Sequence, residues 1–140
     1  MPEKRWVVCW VVPTSIGVIP INESGCHWLM VKHFERGWEL PGGWIEDEEA
    51  SEEAALRELF EESGLLGTAT AVANGLLEGG GDVVLIHIDA EPTPLTWDSP
   101  DSRIEEVGWC LIPPEPLGWG EDELRKISSH DWSNERTASS

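Results

Sequence analysis

Basic residues are scarce in this chain: nine Lys and Arg stand against 27 Asp and Glu in 140 residues, a formal net charge of −18. Such an anionic surface repels phosphate backbones and acidic headgroups, which argues against nucleic-acid or membrane binding through a basic patch. An anionic substrate would need metal ions as intermediaries. Cysteine is sparse too: Cys9, Cys26 and Cys110 are odd in number and show no C-x-x-C spacing. Neither a disulfide framework nor a zinc knuckle is indicated, and a reducing cytoplasm is the default compartment. No stretch approaches the roughly 18 apolar residues that span a bilayer. The apolar run from Trp6 ends at Pro13 without a small-residue cleavage pattern, so it reads as a strand and not a signal peptide.

What is present points to a globular fold. The hydrophobic content of 40% and nine Trp, with no Tyr, suit a buried core. The length suits one domain, taken as residues 1–130, with residues 131–140 as a disordered tail. The acidity admits two explanations, a basic partner or a salt-rich cytoplasm that screens the charge. The second is favoured, because the carboxylates are spread along the whole chain and Lys is scarce. The folded state should then be more stable in molar KCl than at low salt.

Strand-like runs lie at Trp6–Val12, Ile16–Ile21 and Cys26–Phe34, with a turn over Asn22–Gly25. The first convincing helix spans Ser51–Ser63, with Ser51 as N-cap, Glu52 and Glu53 at the positive dipole end, and Gly64 as the stop. Residues 69–90 read as a hairpin turning at Gly79-Gly80-Gly81-Asp82. A Pro-rich loop from Pro92 to Pro100, a strand at Ile104–Ile112 and a short helix at Glu121–His130 follow. This order predicts an α+β fold, a mixed sheet with helices packed on it.

The segment after Pro41-Gly42-Gly43 crowds carboxylates. At about 100° per residue, Glu58, Glu61 and Glu62 share roughly a 100° arc of the helix, with Ala54 and Ala55 on the same side. Leu56, Leu59 and Phe60 occupy the neighbouring arc and are expected on the sheet. A solvated Glu-rich surface is the ordinary explanation of such a helix. Against it, Arg57 is the only basic residue between Arg36 and Arg103, and the Pro-Gly-Gly turn can expose carbonyls. Carboxylates plus a turn carbonyl are what Mg²⁺ or Mn²⁺ prefer as ligands.

From Gly43 the segment reads G-x5-E-x7-R-E-L-x-E-E-x-G-L, with Gly43, Glu49, Arg57, Glu58, Leu59, Glu61, Glu62, Gly64 and Leu65 in place. It resembles the Nudix box at every specified position. Nine positions, each matched by chance at roughly one in ten to twenty, leave no room for coincidence. The stretch leading into Leu40-Pro41-Gly42-Gly43 and the late segment around Trp109 are also similar to that family.

The resemblance implies an α/β/α sandwich with a mixed sheet. It also implies hydrolysis of a nucleoside diphosphate linked to a further moiety X, dependent on Mg²⁺ or Mn²⁺. Glu58, Glu62 and Glu61 would be metal ligands, with the carbonyl of Gly42. Arg57 would orient Glu49, and Glu58 is the choice for general base. Glu105 is the candidate distal acid, with an ordinary solvated strand edge as the alternative; Arg103 lies six residues before Trp109, and Glu105 and Glu106 lie closer. Trp38 and Trp44 could stack on a base, and Lys32 and Arg36 could meet phosphate. The four His show no ligand-like spacing and read as structural or exposed. The preferred substrate is a nucleoside triphosphate or oxidised nucleotide of the mutator type. ADP-ribose or a nucleotide sugar is the alternative, and a non-catalytic nucleotide sensor is further off. Monomer and homodimer remain open.

Overall fold

The computed structural model describes residues 5–137. A first sheet contains β1 (Trp6–Pro13), β4 (Gly42–Trp44), β5 (Thr68–Ala73), β6 (Asp82–Ile88) and β8 (Arg136–Thr137), in the order β4-β1-β6-β5-β8. It is mixed, because β1 and β6 run parallel while the other neighbours are antiparallel. A second sheet joins β2 (Trp28–His33), β3 (Gly37–Glu39) and β7 (Ile104–Cys110) in the antiparallel order β3-β2-β7. Helices α1 (Ser51–Ser63) and α2 (Glu121–Ser128) flank them. The expected α+β class and mixed sheet are observed. Among the described residues no helix is long and apolar enough to cross a membrane.

β1 alternates between two cores, as a period of two requires of a strand buried on both faces. Val7, Cys9 and Val11 face α1 with Leu59, Val84 and Ile86. Val8, Trp10 and Val12 face Trp28, Met30 and Leu124 of α2. Trp10 and Trp28 stack with centroids 5.5 Å apart and planes 13° from parallel. Their indole nitrogens are buried without hydrogen-bond partners, at a cost of about 1–3 kcal/mol each. Burying each ring removes on the order of 200 Å² from water, roughly 5 kcal/mol, so the pair still stabilises the core.

Several local expectations need correction. Ile16–Ile21 forms no strand: Ile16 and Gly17 donate back to Pro13 O at 3.0 and 2.9 Å, and Ile21 N–H goes to Ser128 Oγ at 3.1 Å. These amides serve a turn and the α2 contact instead of a ladder. The α1 cap is Ala50, not Ser51, with Glu53 accepting from Ala50 N–H at 2.8 Å. The Ser51 hydroxyl is spent on buried Asp82. At the other end Gly64 adopts φ 79° and donates to Phe60 O, as expected of a helix stop. The buried arc of α1 is turned from the expected one: Ala54, Ala55 and Leu59 are fully buried while Phe60 is exposed. Small Ala55 lets the helix approach β1, where Cys9 Sγ donates to Ala55 O at 3.3 Å.

Residues 131–137 of the supposed tail are structured. Trp132–Asn134 form a 3-10 turn capped by Asp131, and β8 pairs with β5. Trp132 packs on the core and donates to Ile127 O at 3.1 Å, which holds this stretch down. Residues 138–140 of that expected tail lie outside the described residues.

Candidate active site

The short edge strand β4 carries the turn glycines to the face of α1. Cys9 N–H donates to Pro41 O at 2.8 Å, and Val7 and Val8 pair with Gly43 and Gly42. A Cβ on Gly43 would lie 2.5 Å from Glu58 Oε1, so only glycine allows this carboxylate to lie against the strand. One turn on, Glu62 Oε1 accepts the Gly42 N–H at 2.8 Å. Two carboxylates of α1 are thereby held against one two-residue stretch of backbone.

Arg57 ties the preceding loop to the helix. Its Nε and Nη2 donate to Glu49 Oε2 and Oε1 at 2.8 and 3.0 Å, a two-pronged pair that fixes both side chains. Nη1 reaches Glu58 Oε1 at 2.9 Å, and Nη2 donates to Trp44 O at 3.1 Å. Glu49 also accepts the Glu46 N–H at 2.9 Å. Glu61 is more loosely held, 3.4 Å from Nη1, and half exposed. The Arg57 pair holds the Glu49 carboxyl below the usual carboxylate range, and the same partner raises Arg57.

Burial acts the other way deeper in. It raises the Glu58 carboxyl even though Arg57 pulls it down. Glu62 is pushed up to about 8, chiefly by burial and then by Glu58 and Asp101, against the lowering effect of the Gly42 N–H. Two adjacent carboxyls that resist ionisation mark a place where a cation would be welcome.

These groups open into a cavity of about 490 Å³ that also takes in His33, Arg36, Trp44 and Arg103. Arg36 is held by Glu39 at 2.9 and 3.1 Å. Arg103 is held by Asp101 at 3.1 and 2.8 Å. The loop before β7 brings Asp101 and Arg103 in: Trp97 Nε1 donates to Ser63 O at 2.9 Å, Ser99 Oγ to Glu62 O at 2.6 Å, and Asp101 N–H to Ser99 Oγ at 2.9 Å.

Of the residues singled out in the sequence, Glu58, Glu62, Gly42, Arg57, Arg36 and Trp44 meet in this cavity. Glu49 and Glu61 lie against Arg57. Lys32 does not line it; it pairs with Glu105 at 3.7 Å, and adjacent Glu106 accepts from Thr96 Oγ1 at 2.8 Å. Neither Glu105 nor Glu106 lines the carboxylate cavity, so the expected distal acid is not among the groups brought together there. Trp38 is buried in the α2-side core and is not placed to stack here, whereas Trp44 is 56% exposed. His33, read as structural or exposed, lines the cavity, and its Nδ1 accepts the Glu35 N–H at 3.1 Å. Asp101 and Arg103 were missed as site residues. The only signal was Arg103 standing where an acid was sought.

Among the described residues no three His, Cys, Asp or Glu side chains form a ready metal cage. The donors present still fit Mg²⁺ or Mn²⁺, because such ions are often bound through one or two carboxylates, waters and substrate phosphates.

The family model described as "NUDIX domain" matches residues 12–129. A Bacillus subtilis protein provisionally named an 8-oxo-dGTP diphosphatase is 41% identical over 63 residues, 45% of this chain and 32% of that protein. The RNA pyrophosphohydrolase of Wolbachia sp. subsp. Brugia malayi is 33% identical over 99 residues, 69% of this chain and 56% of that one. The chain thus spans 32% and 56% of the lengths of these two relatives. An ADP-ribose pyrophosphatase from Streptococcus suis shares the fold, with a TM-score of 0.60 at 21% identity over 93% of this chain and 94% of that one.

Proposed function

The chain belongs to the Nudix family, and from that premise we propose that it hydrolyses a pyrophosphate bond in a nucleoside diphosphate linked to X, using Mg²⁺ or Mn²⁺. The substrate favoured is a nucleoside triphosphate or an oxidised form of one. The observation that carries the reading is the Glu58–Glu62 pair on α1, half-desolvated at the turn glycines and facing a cavity that also holds three guanidinium groups. Two hard anionic ligands beside Arg36, Arg57 and Arg103 suit a substrate that is polyanionic and arrives with a cation.

Glu58 and Glu62 would hold the metal, with the Gly42 backbone beside them and half-exposed Glu61 free to swing in. The bound ion would neutralise phosphate oxygens and lower the pKa of the attacking water. Arg57 keeps Glu49 and Glu58 in place, a positioning role that such partners of metal ligands commonly play. Glu58, its carboxyl raised by burial, is the proposed acceptor of the water's proton. Arg36 and Arg103 also line the cavity, where they can take up phosphate oxygens when their carboxylate partners yield. The relative provisionally named an 8-oxo-dGTP diphosphatase supports the choice of substrate.

The test is release of phosphate and pyrophosphate from nucleoside triphosphates, oxidised purine triphosphates, ADP-ribose and dinucleoside polyphosphates, with each metal and with chelator. Metal-dependent turnover that Glu62→Gln abolishes is expected. Ligand binding with no product under any condition would overturn the reading.

A further inference from the structure

His33 lines the carboxylate cavity without a part in the chemistry described so far. It ends β2, two residues beyond Val31 and four beyond Leu29, which both pack in the α1-side core. The period of two carries that face of the strand on to the cavity. The ladder to β7 slips between Lys32 and His33, an irregularity of the kind that re-aims a side chain beside a site. His33 then stands opposite Gly37 of β3 and Ile104 of β7, and the next residue, Phe34, donates its N–H to Arg103 O at 3.2 Å. Only 9% of the residue is exposed, so the ring has little freedom to turn.

A backbone amide can only donate. The Glu35 N–H, 3.1 Å from Nδ1, therefore makes that nitrogen the acceptor and leaves the proton of the neutral ring on Nε2. Among the described residues Nε2 has no hydrogen-bond partner. The guanidinium groups around it are already engaged: Arg36 with Glu39, Arg57 with Glu49 and Glu58, and Arg103 with Asp101. Resting on the hydrolase reading above, we infer that His33 donates its Nε2–H to a phosphate oxygen of the substrate and so orients the phosphate chain beside Glu58 and Glu62. A neutral ring makes this bond without adding a charge that opposes the incoming cation.

The competing role is a cap on the β2–β3 turn, and two substitutions separate the roles. Asparagine sets an amide oxygen near the place of Nδ1, so it keeps the Glu35 bond and drops the donor. Glutamine reaches with its amide nitrogen toward the place of Nε2, so it keeps the donor and drops the Glu35 bond. On the intact chain, kcat/KM for a nucleoside triphosphate with Mn²⁺ should fall about 10- to 100-fold in His33→Asn, the worth of a hydrogen bond to a charged group, and stay within a few-fold in His33→Gln. Melting temperatures should run in the opposite order, Asn above Gln. Activity that followed melting temperature, or two variants as active as the wild type, would overturn the inference and leave the hydrolase reading standing. Wild-type protein supplies a second readout, the ¹⁵N NMR spectrum of the imidazole. Its proton should be on Nε2, and that resonance should move when Mg²⁺ and methylenediphosphonate, a non-hydrolysable pyrophosphate mimic, are added. The same shift in a chain that hydrolyses no nucleotide would support the donor and sink the hydrolase reading. A proton on Nδ1, or an Nε2 resonance unmoved at saturating diphosphonate, would overturn the inference.

Discussion

The cavity beside α1 and the cavity beside α2 differ in almost every physical respect. The α1-side cavity is lined by carboxylates and three guanidinium groups, and its acids are held by hydrogen bonds to Arg57 and to the Gly42 backbone. The α2-side cavity is walled by indoles, with carboxylates but no basic partner. A chain with so few basic residues has concentrated Arg36, Arg57 and Arg103 at one place. Charge is thereby sorted: the first cavity gathers cationic side chains beside its acids, and the second has carboxylates without them.

The contrast breaks most sharply if the α1 acids are neutralised. Glu62→Gln should lower kcat by about 1,000-fold, since metal catalysis supplies several kcal/mol of transition-state stabilisation. It should leave the fold intact, and steady-state kinetics with a far-UV circular dichroism spectrum on one preparation would check both halves.

Arg57→Lys keeps the charge but loses the fork to Glu49. A loss of about 10- to 100-fold is expected, seen mainly as weaker metal activation, because lysine cannot hold Glu49, Glu58 and Trp44 O together. A metal titration of activity distinguishes this from a loss of chemistry, and an unchanged metal requirement would remove Arg57 from its positioning role.

The acids should also report on pH. Burial raises Glu62 from the ordinary carboxyl range to about 8 in the folded chain, so the folded state binds the extra proton. The stability this confers is complete below the unfolded carboxyl range and is lost as pH rises through about 8. Metal-free protein should therefore melt several degrees lower at pH 8.5 than at pH 5.5, and Glu62→Gln should flatten the slope. At pH 7, Mn²⁺ binding should release protons, measurable by calorimetry in buffers of different ionisation heat.

Smaller effects sharpen the boundary of the carboxylate cavity. Trp44→Ala should raise KM up to about tenfold without changing the melting temperature, since Trp44 is an exposed wall. Lys32→Ala should change KM less than about twofold, because its ammonium serves Glu105 and not the cavity.

What could be read in the sequence follows from the range of the forces involved. The α1 boundaries, the Gly64 stop and the Glu49–Arg57–Glu58 group are set by interactions within about one or two helical turns, so spacing reveals them. The helix face was misjudged because Ala54 and Ala55 look neutral on a wheel, yet they are what fits under β1. Asp101 and Arg103 reach the site only because Trp97 and Ser99 anchor their loop to the end of α1, a contact between segments more than thirty residues apart. Trp38 and Trp44 are six residues apart and looked equivalent in sequence, but β3 turns one into the core and β4 leaves the other on the surface. The α2-side cavity joins the start of β1, the β5–β6 loop and the start of α2, which no local pattern could bring together.

The most direct measurement is a crystal structure of the protein grown with Mn²⁺, with anomalous scattering recorded at the manganese edge. The account expects a peak at about 2.0–2.3 Å from carboxylate oxygens of Glu58 and Glu62, beside the Gly42 backbone, absent in Glu62→Gln crystals. Manganese bound elsewhere with that cluster left bare, in crystals of an active enzyme, would contradict it.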